Sequence, residues 1–401
     1  MHKNIKDKII NDPIYGLISI KESIIHEIIE HPYFQRLRRI SQLGLVNLVY
    51  PGANHTRFQH ALGTLHLMQK VITHFNTKGN FISEKDATDL KLAILLHDIG
   101  HGPFSHALEN VIIDDHNHEK ISLMFMQILN EKFKKKLSGC IKIFTNNHKK
   151  RFLNQLVSSQ LDIDRLDYIK RDSFYTGVVE GNIGSDRLIN MLNVSGNQLV
   201  AEEKAIYSIE KFLISRQFMY WQVYLHKTVV IAEKMLLNFF KRYKYLQKCG
   251  NNDILNNKFK ELLSTKLSIE NKLKIFAEID DSDIIQLLKE SMCSKDFVLS
   301  KLSKMLINRE LLKIEFSDKK FNKALISNHI KNFKKKYSVN DKISSYFIFT
   351  DTISNKLYDE HEKKIEILKK NGDTLDISEI SKRIKVSMST NKKKHFLCYV
   401  K

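Results

Sequence analysis

Three histidines and an aspartate lie within ten residues of this sequence, directly after the apolar run 92–96. They are His97, Asp98, His101 and His106. Imidazole and carboxylate groups bind divalent metals, and imidazole is also the side chain that most readily moves a proton near neutral pH. A buried helix would not carry so many ionisable groups without a chemical purpose. The segment therefore indicates an active site that contains a metal.

A hydrolytic metal site needs three or four protein ligands and an open position for water. His97 and Asp98 are adjacent, so on a helix their side chains point about 100° apart and one cation can contact both. The remaining ligands must come from distant segments. Candidates are His60 and one aspartate of the acidic segment 161–172. In that segment Asp162 and Asp164 point to different faces, and the spacing alone does not choose between them.

The bulk composition predicts a cytoplasmic protein without membrane contact. The chain has 401 residues, too many for one minimal core, and 42% of them are hydrophobic, an ordinary fraction. No apolar stretch approaches the ~20 residues that span a bilayer, and the charged N-terminus does not resemble a secretory signal. The four cysteines lie far apart and form no CxxC pair, which fits free thiols in a reducing compartment.

The formal net charge of +20 supports two interpretations. One is a partner that carries phosphates, either a nucleotide or a nucleic acid. The other is a lysine-rich surface without a specific partner. Much of the excess lies in short runs at 134–136, 149–151, 334–336 and 392–394, which lack the regular aromatic interleaving of a single-strand binding platform.

Hydrophobic periodicity predicts a mainly α-helical fold with small β-containing parts at both ends. Residues 8–20 are predicted as a hairpin, punctuated by Asn11-Asp12-Pro13 and Gly16. Helices are predicted from Ser23, over 33–42, 58–75 and 86–96, and through most of 118–156, 185–247 and 252–335. Strands are predicted at 344–349 and 395–400, with an apolar segment at 364–368 before a turn and a helix at 377–384.

Short motifs in a fixed order cover about residues 8–230. They are Asn11-Asp12-Pro13, Phe34-Gln35-Arg36-Leu37-Arg38, Gln42-Leu43-Gly44, Pro51-Gly52-Ala53, Arg57-Phe58-Gln59-His60, His97-Asp98, His118-Glu119, Asp162-Ile163-Asp164, Arg171-Asp172 and Tyr224-Leu225-His226-Lys227. In this series the chain resembles the HD-domain phosphohydrolases, specifically the deoxynucleoside triphosphate triphosphohydrolases. The resemblance implies an HD-domain helical bundle with an N-terminal hairpin over 1–230. A helical extension over 231–335 and a small α+β unit over 336–401 would follow.

The resemblance also implies one divalent cation held by four side chains, and it favours Asp164 over Asp162. These ligands are His60, His97, Asp98 and Asp164. Nitrogen and oxygen ligation suits Mn, Fe, Mg, Ni or Zn, so the identity of the metal stays open. Asp167 is interpreted either as a helix-surface residue or as a group that supports a ligand.

Phosphate ester hydrolysis also requires proton transfer to the leaving oxygen. The acid–base candidates are His101, His106 and His118, and Glu109 is placed three residues after His106 to orient its ring. The resemblance places His106 and His118 in the site, and we take His118 as the first choice for the proton donor. The alternative for His118 is a helix-terminal residue beside the acidic turn 114–115.

A dNTP carries about four negative charges, so several cations must converge on it. By resemblance the phosphate-binding residues are Arg57, Arg165, Arg216 and Lys227, and the nucleoside contacts are Gln42, Leu43, Tyr168, Asp172 and Tyr224. Tyr224 would lie where a ribose 2′-hydroxyl clashes, which favours dNTPs over NTPs. Arg165 departs from the lysine common in the family but keeps the charge and gains bidentate contact. Tyr175 stands near a position that is often histidine.

Some relatives form tetramers that nucleotides control at subunit contacts. The matching positions here are Lys8, Asn11, Glu30, Gln35 and Arg38. Glu30 stands where the regulated relative has aspartate, and its extra methylene would shift or abolish that site. The predicted partners are a dNTP substrate, a nucleotide effector and further copies of the chain in a dimer or tetramer, with nucleic acid as an additional candidate.

The sequence thus predicts a metal-dependent enzyme that splits a dNTP into deoxynucleoside and inorganic triphosphate. One alternative keeps the site but changes the substrate, as in a nucleotidase or phosphodiesterase. Another is a nucleic-acid-binding protein with a vestigial site, which the charge favours and the intact ligand set opposes. The preferred base is not predicted.

Overall fold

Helices form the larger part of the chain in the computed structural model, which describes residues 8–250, 257–264, 267–355, 358, 363–388 and 392–401. The helices are α1 Ser23–Ile29, α2 Pro32–Gln35, α3 Arg57–Thr77, α4 Glu84–Leu96, α5 His118–Lys132, α6 Ser138–Phe144, α7 Arg151–Val157, α8 Ile163–Thr176, α9 Ser185–Asn190, α10 Ile206–Met219, α11 Lys227–Lys248, α12 Asn257–Leu262, α13 Ile269–Phe276, α14 Asp281–Ser291, α15 Phe297–Ile307, α16 Lys323–Tyr337, α17 Asp341–Ser344, α18 Ile377–Ile380 and α19 Lys382–Met388. The strands are β1 Lys8–Asp12, β2 Gly16–Ile20, β3 Leu192–Ser195, β4 Gln198–Glu202, β5 Lys313–Ser317, β6 Phe349–Asn355, β7 Glu366–Leu368, β8 Thr374–Asp376 and β9 Lys392–Tyr399. The mainly α-helical prediction is confirmed.

The predicted N-terminal hairpin is also confirmed. Strands β1 and β2 pair antiparallel, with Lys8 opposite Ile20 and Asp12 opposite Gly16. One carboxylate oxygen of Asp12 accepts the turn N–H groups of Ile14 and Tyr15, each at 3.0 Å. Gly16 has a φ of +71°, a left-handed conformation that glycine adopts at no steric cost.

Helices α3 and α8 and the turn directly after α4 carry the predicted metal ligands. Helix α4 is capped by Ser83, whose hydroxyl accepts the N–H of Asp86 at 3.1 Å. Helices α3 and α8 pack closely at Gly63, where a Cβ atom would lie 2.1 Å from the side chains of both Arg171 and Asp167. Only glycine therefore lets the two ligand-bearing helices approach this closely.

Two sheets join the C-terminal strands to earlier parts of the chain. One has the order β3-β4-β7-β8, with β4 and β7 parallel, and the other has the order β5-β9-β6. Both sheets therefore cross from the segment before residue 336 to the segment after it, while the proposed unit limits at 230 and 335 remain a prediction. Among the described residues, no helix combines the length and apolar character that a bilayer crossing requires.

The helix predicted over 33–42 is wrong beyond residue 35. After α2 the chain forms a 3₁₀ turn at Arg36–Arg39, and Ile40 is extended. The guanidinium of Arg36 is buried and donates to the carbonyls of Ile99 and His101 at 3.0 and 2.9 Å. This segment therefore supports the loop after α4 instead of continuing as a helix.

Three further predictions need correction. The helical prediction for 185–247 misses the β3–β4 hairpin, whose turn residues Gly196 and Asn197 both have positive φ, as a tight hairpin turn requires. The strand predicted at 344–349 starts only at Phe349, because Asn340 caps the short helix α17. The helix predicted at 377–384 breaks at Ser381, whose hydroxyl donates to buried Glu210 at 2.6 Å.

Residues 252–256 and 265–266 of the 252–335 prediction lie outside the described residues.

Candidate metal centre and active site

The predicted metal ligands His60, His97, Asp98 and Asp164 lie together in the structure. Nε2 of His60 is 3.0 Å from a carboxylate oxygen of Asp164 and 3.6 Å from one of Asp98. Nε2 of His97 is 3.4 Å from Asp164 and 3.3 Å from Asp98. Residues from α3, from the turn after α4 and from α8 thus direct nitrogen and oxygen atoms towards one point.

Other groups fix the orientation of both histidine rings. Nδ1 of His60 lies 2.7 Å from a carboxylate oxygen of Asp167, and Nδ1 of His97 lies 2.6 Å from the carbonyl of Ile94. Both neighbours only accept hydrogen bonds, so each Nδ1 carries a proton and Nε2 is the nitrogen that each ring can offer to a metal. Neither buried Nε2 has a hydrogen-bond partner among the described residues. Two unpartnered imidazole nitrogens beside two carboxylates fit a divalent cation.

The local charge supports the same conclusion. Burial lowers the pKa of His60, but the carboxylates of Asp164 and Asp167 outweigh it and raise that pKa to about 10. Burial also opposes ionisation of Asp98, yet His97 and Arg57 hold its pKa well below the usual range. These carboxylates favour a positive charge at Nε2 of His60, and a divalent cation there would take the place of that proton.

Asp162, the alternative to Asp164 as a predicted metal ligand, has a different position. Its carboxylate caps α8, accepting the N–H groups of Arg165 at 2.8 Å and Ser159 at 2.7 Å. Burial raises its pKa to about 6. The converging ligand atoms are those of His60, His97 and Asp164. Asp162 therefore starts the helix whose first turn presents Asp164.

A buried ion-pair network links the metal centre to the N-terminal hairpin. Asp167, which holds His60, accepts from Nε and Nη2 of Arg171 at 2.9 and 3.1 Å. Nη1 of Arg171 donates to Asp12 at 2.8 Å. Asp167 thus supports a predicted ligand, one of its two proposed roles. Sequence reasoning did not identify the part played by Asp12 and Arg171, because buried pairs leave no periodic signal.

The acid–base candidates form a histidine cluster beside the metal centre. The rings of His101 and His118 stack with centroids 4.0 Å apart, and the ring of His106 is edge-on to both. Glu109 lies 2.6 Å from Nδ1 of His118 and 3.0 Å from Nδ1 of His106. Nε2 of His101 is 3.4 Å from Asp98. The structure thus brings all four predicted residues together, and Glu109 orients two rings where the sequence suggested one.

Two of these groups have clear charge states. Burial, together with the cation of Arg57, holds the pKa of His101 well below its usual range, so its ring is neutral at neutral pH. Burial opposes ionisation of Glu109, but hydrogen bonds from His106 and His118 hold its pKa well below the usual range. The ionised Glu109 therefore accepts hydrogen bonds from the rings of both His106 and His118.

We expect Glu109→Gln to lower kcat about 10- to 100-fold without loss of bound metal. The amide offers one acceptor oxygen in place of two, so either His106 or His118 faces an N–H group and turns away. Steady-state kinetics and metal analysis on the same preparation measure both effects. The exposed neighbour Glu119→Gln is the control, and an unchanged kcat for Glu109→Gln would refute this role.

Arg57 connects the metal centre to the predicted nucleoside site. Its guanidinium forms an ion pair with Asp98 and donates to Ser105 at 3.0 Å and to the carbonyl of Gln42 at 3.4 Å. Gln42 is buried, and Leu43 follows it on the same loop. Arg57 therefore contacts a predicted metal ligand directly, and its contact with phosphate also stays a prediction.

Asp172 and Tyr224 form a second polar group. The hydroxyl of Tyr224 donates to Asp172 at 2.7 Å, and the other oxygen of Asp172 is 2.7 Å from Nε2 of His55. The ring of His55 stacks on Tyr175, with centroids 4.5 Å apart. Sequence reasoning missed His55, although its place in the loop before Arg57 was a usable signal.

A π-helical turn at Tyr220–Tyr224 positions further predicted residues. Such turns are frequent at functional sites. The ring centroid of Tyr224 is 6.3 Å from that of Tyr168. Arg165 and the buried Arg216 lie close enough to Tyr168 for their charges to act on its hydroxyl. Lys227 follows this turn and lines a separate cavity with Trp221. Arg165 thus lies on α8 and Arg216 lies near it, whereas no close contact joins Lys227 to the predicted metal ligands among the described residues.

The predicted regulatory residues lie on and beside the hairpin. Glu30 forms an ion pair with Lys8, and Arg38 donates to Gln35 at 2.8 Å while covering the ring of Phe58. Asn11 pairs with Leu17 in the hairpin. The Glu30 carboxylate is therefore already engaged by a cation of the same chain, and the regulatory role stays a prediction.

Comparison with known proteins agrees with this geometry. The HD domain model matches residues 57–172, and the model of the HD associated region matches residues 183–400. A phosphohydrolase from Bacteroides thetaiotaomicron has a solved structure with a TM-score of 0.94 and 44% identity, covering 99% of this chain and 100% of that one. Uncharacterized protein YwfO of Bacillus subtilis is 30% identical over 99% of this chain and 93% of its own length.

The deoxynucleoside triphosphate triphosphohydrolase SAMHD1 of Danio rerio is a more distant relative. It is 28% identical over 58% of this chain, a match that spans 44% of its own length. The homologous enzyme of Dictyostelium discoideum is 30% identical over 58% of this chain and 49% of its own. The two family models match consecutive parts of the chain, and two of the relatives match 99% of it. The chain therefore belongs to the HD-domain phosphohydrolase family.

Proposed function

We propose that this protein hydrolyses dNTPs to deoxynucleoside and inorganic triphosphate. The supporting observation is the convergence of His60, His97 and Asp164, with Asp98 3.6 and 3.3 Å from the Nε2 atoms of the two histidines. Relatives named as dNTP triphosphohydrolases support this substrate class. These four side chains would hold the cation, and the adjoining histidine cluster would handle the proton.

In the proposed reaction, the oxygen of water attacks the α-phosphorus and the bond from phosphorus to the 5′-oxygen breaks. A divalent cation, when bound, lowers the pKa of water and polarises a phosphoryl oxygen. Arg165 and Arg216 offset phosphate charge from the side of α8. His118, held by ionised Glu109, gives a proton to the departing 5′-oxygen.

Tyr224 would select the sugar. Its ring is held by the contact with Asp172, which His55 supports from the other side. We expect Tyr224→Ala to raise the kcat/KM for ATP relative to dATP about tenfold, because the wall facing C2′ is removed. Tyr224→Phe, which keeps the ring, is the control and should preserve discrimination. Competition kinetics with both nucleotides test this, and an unchanged ratio for the alanine variant would exclude the role.

Product analysis tests the proposed function. The purified protein with Mn²⁺ is incubated with each dNTP and NTP, and with mono- and cyclic nucleotides, and the products are separated by chromatography. We expect deoxynucleoside and inorganic triphosphate in equal amounts from dNTPs. Release of orthophosphate or pyrophosphate, or hydrolysis confined to mono- or cyclic nucleotides, would instead indicate the nucleotidase or phosphodiesterase alternative.

A further inference from the structure

Three aspartates lie at the start of α14, and one of them reaches outside the helix. The carboxylates of Asp280 and Asp283 accept N–H groups of this turn at 2.9 and 2.8 Å and thereby cap α14. The carboxylate of Asp281 instead accepts the N–H of Ser41 at 2.8 Å and the N–H of Phe104 at 2.7 Å. Asp281 therefore joins two segments that lie 240 and 177 residues away from it in the chain.

The two segments that Asp281 joins also contact each other. The hydroxyl of Ser105, the residue after Phe104, donates to the carbonyl of Ser41 at 2.6 Å. The segments lie so close that a Cβ atom on Gly44 would be 2.9 Å from the carbonyl oxygen of Phe104. The carboxylate of Asp281 is thus the third contact that holds this junction together.

The backbone at Phe104 and Ser105 is strained. Both residues have a φ of +53°, a left-handed conformation that is unfavourable for any residue with a Cβ atom. Such residues persist where surrounding contacts hold them, and they cluster at active sites. Burial raises the pKa of Asp281, while hydrogen bonds from Ser41 and Phe104 oppose that rise. Because hydrogen bonds are stronger where water is excluded, Asp281 can hold the strained pair.

The strained pair and the segment after Ser41 both contact Arg57. The hydroxyl of Ser105 accepts from Nε of Arg57 at 3.0 Å, and the carbonyl of Gln42 accepts from Nη2 at 3.4 Å. The remaining nitrogen, Nη1, forms the ion pair with Asp98. Because the guanidinium is planar and rigid, partners for two of its nitrogens decide where the third one points.

We propose that Asp281 is a positioning residue of the active site: by holding two backbone N–H groups, it directs the guanidinium of Arg57 towards Asp98. Asp281 lies in the part of the chain that matches the HD associated region, outside the match to the HD domain. The associated region thus sets part of the geometry of the HD domain's own site. The effect on turnover rests on the proposed function, whereas the effect on the backbone does not.

Asp281→Asn in the full-length protein with Mn²⁺ tests this inference. The amide keeps one acceptor oxygen and turns an N–H group towards the other backbone N–H, so one of the two hydrogen bonds is lost. We expect kcat for dNTPs to fall about 10- to 100-fold, an effect typical of a misplaced active-site group. Hydrogen exchange, followed by mass spectrometry, should become faster in the peptides that contain Ser41 and Phe104.

Asp283→Asn is the matched control, because it makes the same change in the same turn but at a carboxylate that caps α14. It should leave kcat unchanged. Urea unfolding of both variants separates a loss of stability from a loss of turnover. Equal losses of kcat in the two variants would show that a loosened α14, and not the contact with the active site, lowers turnover, and this would overturn the inference.

Ser105→Ala breaks the same chain of contacts at its other end. If Asp281 acts through Ser105, the double variant should lose much less kcat than the product of the two single losses. Single losses that multiply, or an unchanged kcat in Asp281→Asn, would overturn the inference. If Asp281→Asn does not fold, Ser105→Ala decides, and an unchanged kcat there would overturn it.

Failure of the proposed function gives a different result. The wild-type protein would then hydrolyse no dNTP, and hydrogen exchange alone would decide on Asp281. Unchanged exchange around Phe104 in Asp281→Asn would overturn the inference, whereas faster exchange there, without a change in Asp283→Asn, would support it.

Discussion

Replacing His97 or Asp98 with alanine should remove bound metal and turnover together. Nε2 of His97 and a carboxylate oxygen of Asp98 lie 3.3 Å apart, at the point where the candidate cation would bind. Asp98→Ala also leaves the buried cation of Arg57 without its anion. We expect metal content to fall from about one ion per chain to background, and kcat to fall more than about a thousandfold.

Metal analysis by mass spectrometry and product assays on the same preparations measure both quantities. Asp186→Asn is the control, because this exposed aspartate forms its ion pair with Lys70 on the surface. Circular dichroism of each variant checks that the helices remain. Full turnover in a variant that lacks metal would show that the reaction does not use this centre.

Replacing Arg171 with methionine should cost about 3–5 kcal/mol of unfolding free energy. The variant leaves the buried carboxylates of Asp12 and Asp167 without their shared cation. Burial disfavours ionisation of Asp167, yet Arg171 helps to hold its pKa at about 2, so the pair is strongly coupled. Asp167, the hydrogen-bond partner of His60, would also be held less firmly. The affinity of the site for metal should therefore fall about tenfold.

Urea unfolding and direct metal titration measure these two effects. Lys170→Met is the control, since this neighbouring lysine lies outside the buried network. Asp12→Asn is a milder variant that keeps the shape and removes one charge, and it should show a smaller loss of the same kind. A stability change below about 1 kcal/mol for Arg171→Met would contradict the importance of the network.

The proximity of the candidate metal ligands was predictable from sequence because these residues occur in short, ordered motifs. His97-Asp98 follows a buried helix, and His60 lies in the first turn of α3. The choice of Asp164 over Asp162 depended on the resemblance, and the structure gives the physical reason. Asp162 satisfies backbone N–H groups at the start of α8, whereas Asp164 points into the centre.

The supporting contacts could not be predicted in the same way. His55, Arg171 and Asp12 act through pairs that lie 117 and 159 residues apart in the chain, and hydrophobic periodicity does not record such contacts. Arg36 ends a predicted helix because its guanidinium binds distant carbonyls. The β3–β4 hairpin had a local signal, Gly196-Asn197, that the helical pattern around it obscured.

The claim on which this account depends is that four side chains hold one catalytic cation. Anomalous diffraction from crystals grown with Mn²⁺ tests it most directly. We expect one strong peak about 2.0–2.3 Å from Nε2 of His60, Nε2 of His97 and a carboxylate oxygen each of Asp98 and Asp164. A peak bound elsewhere, with these four side chains left unligated in a crystal of active enzyme, would contradict the account.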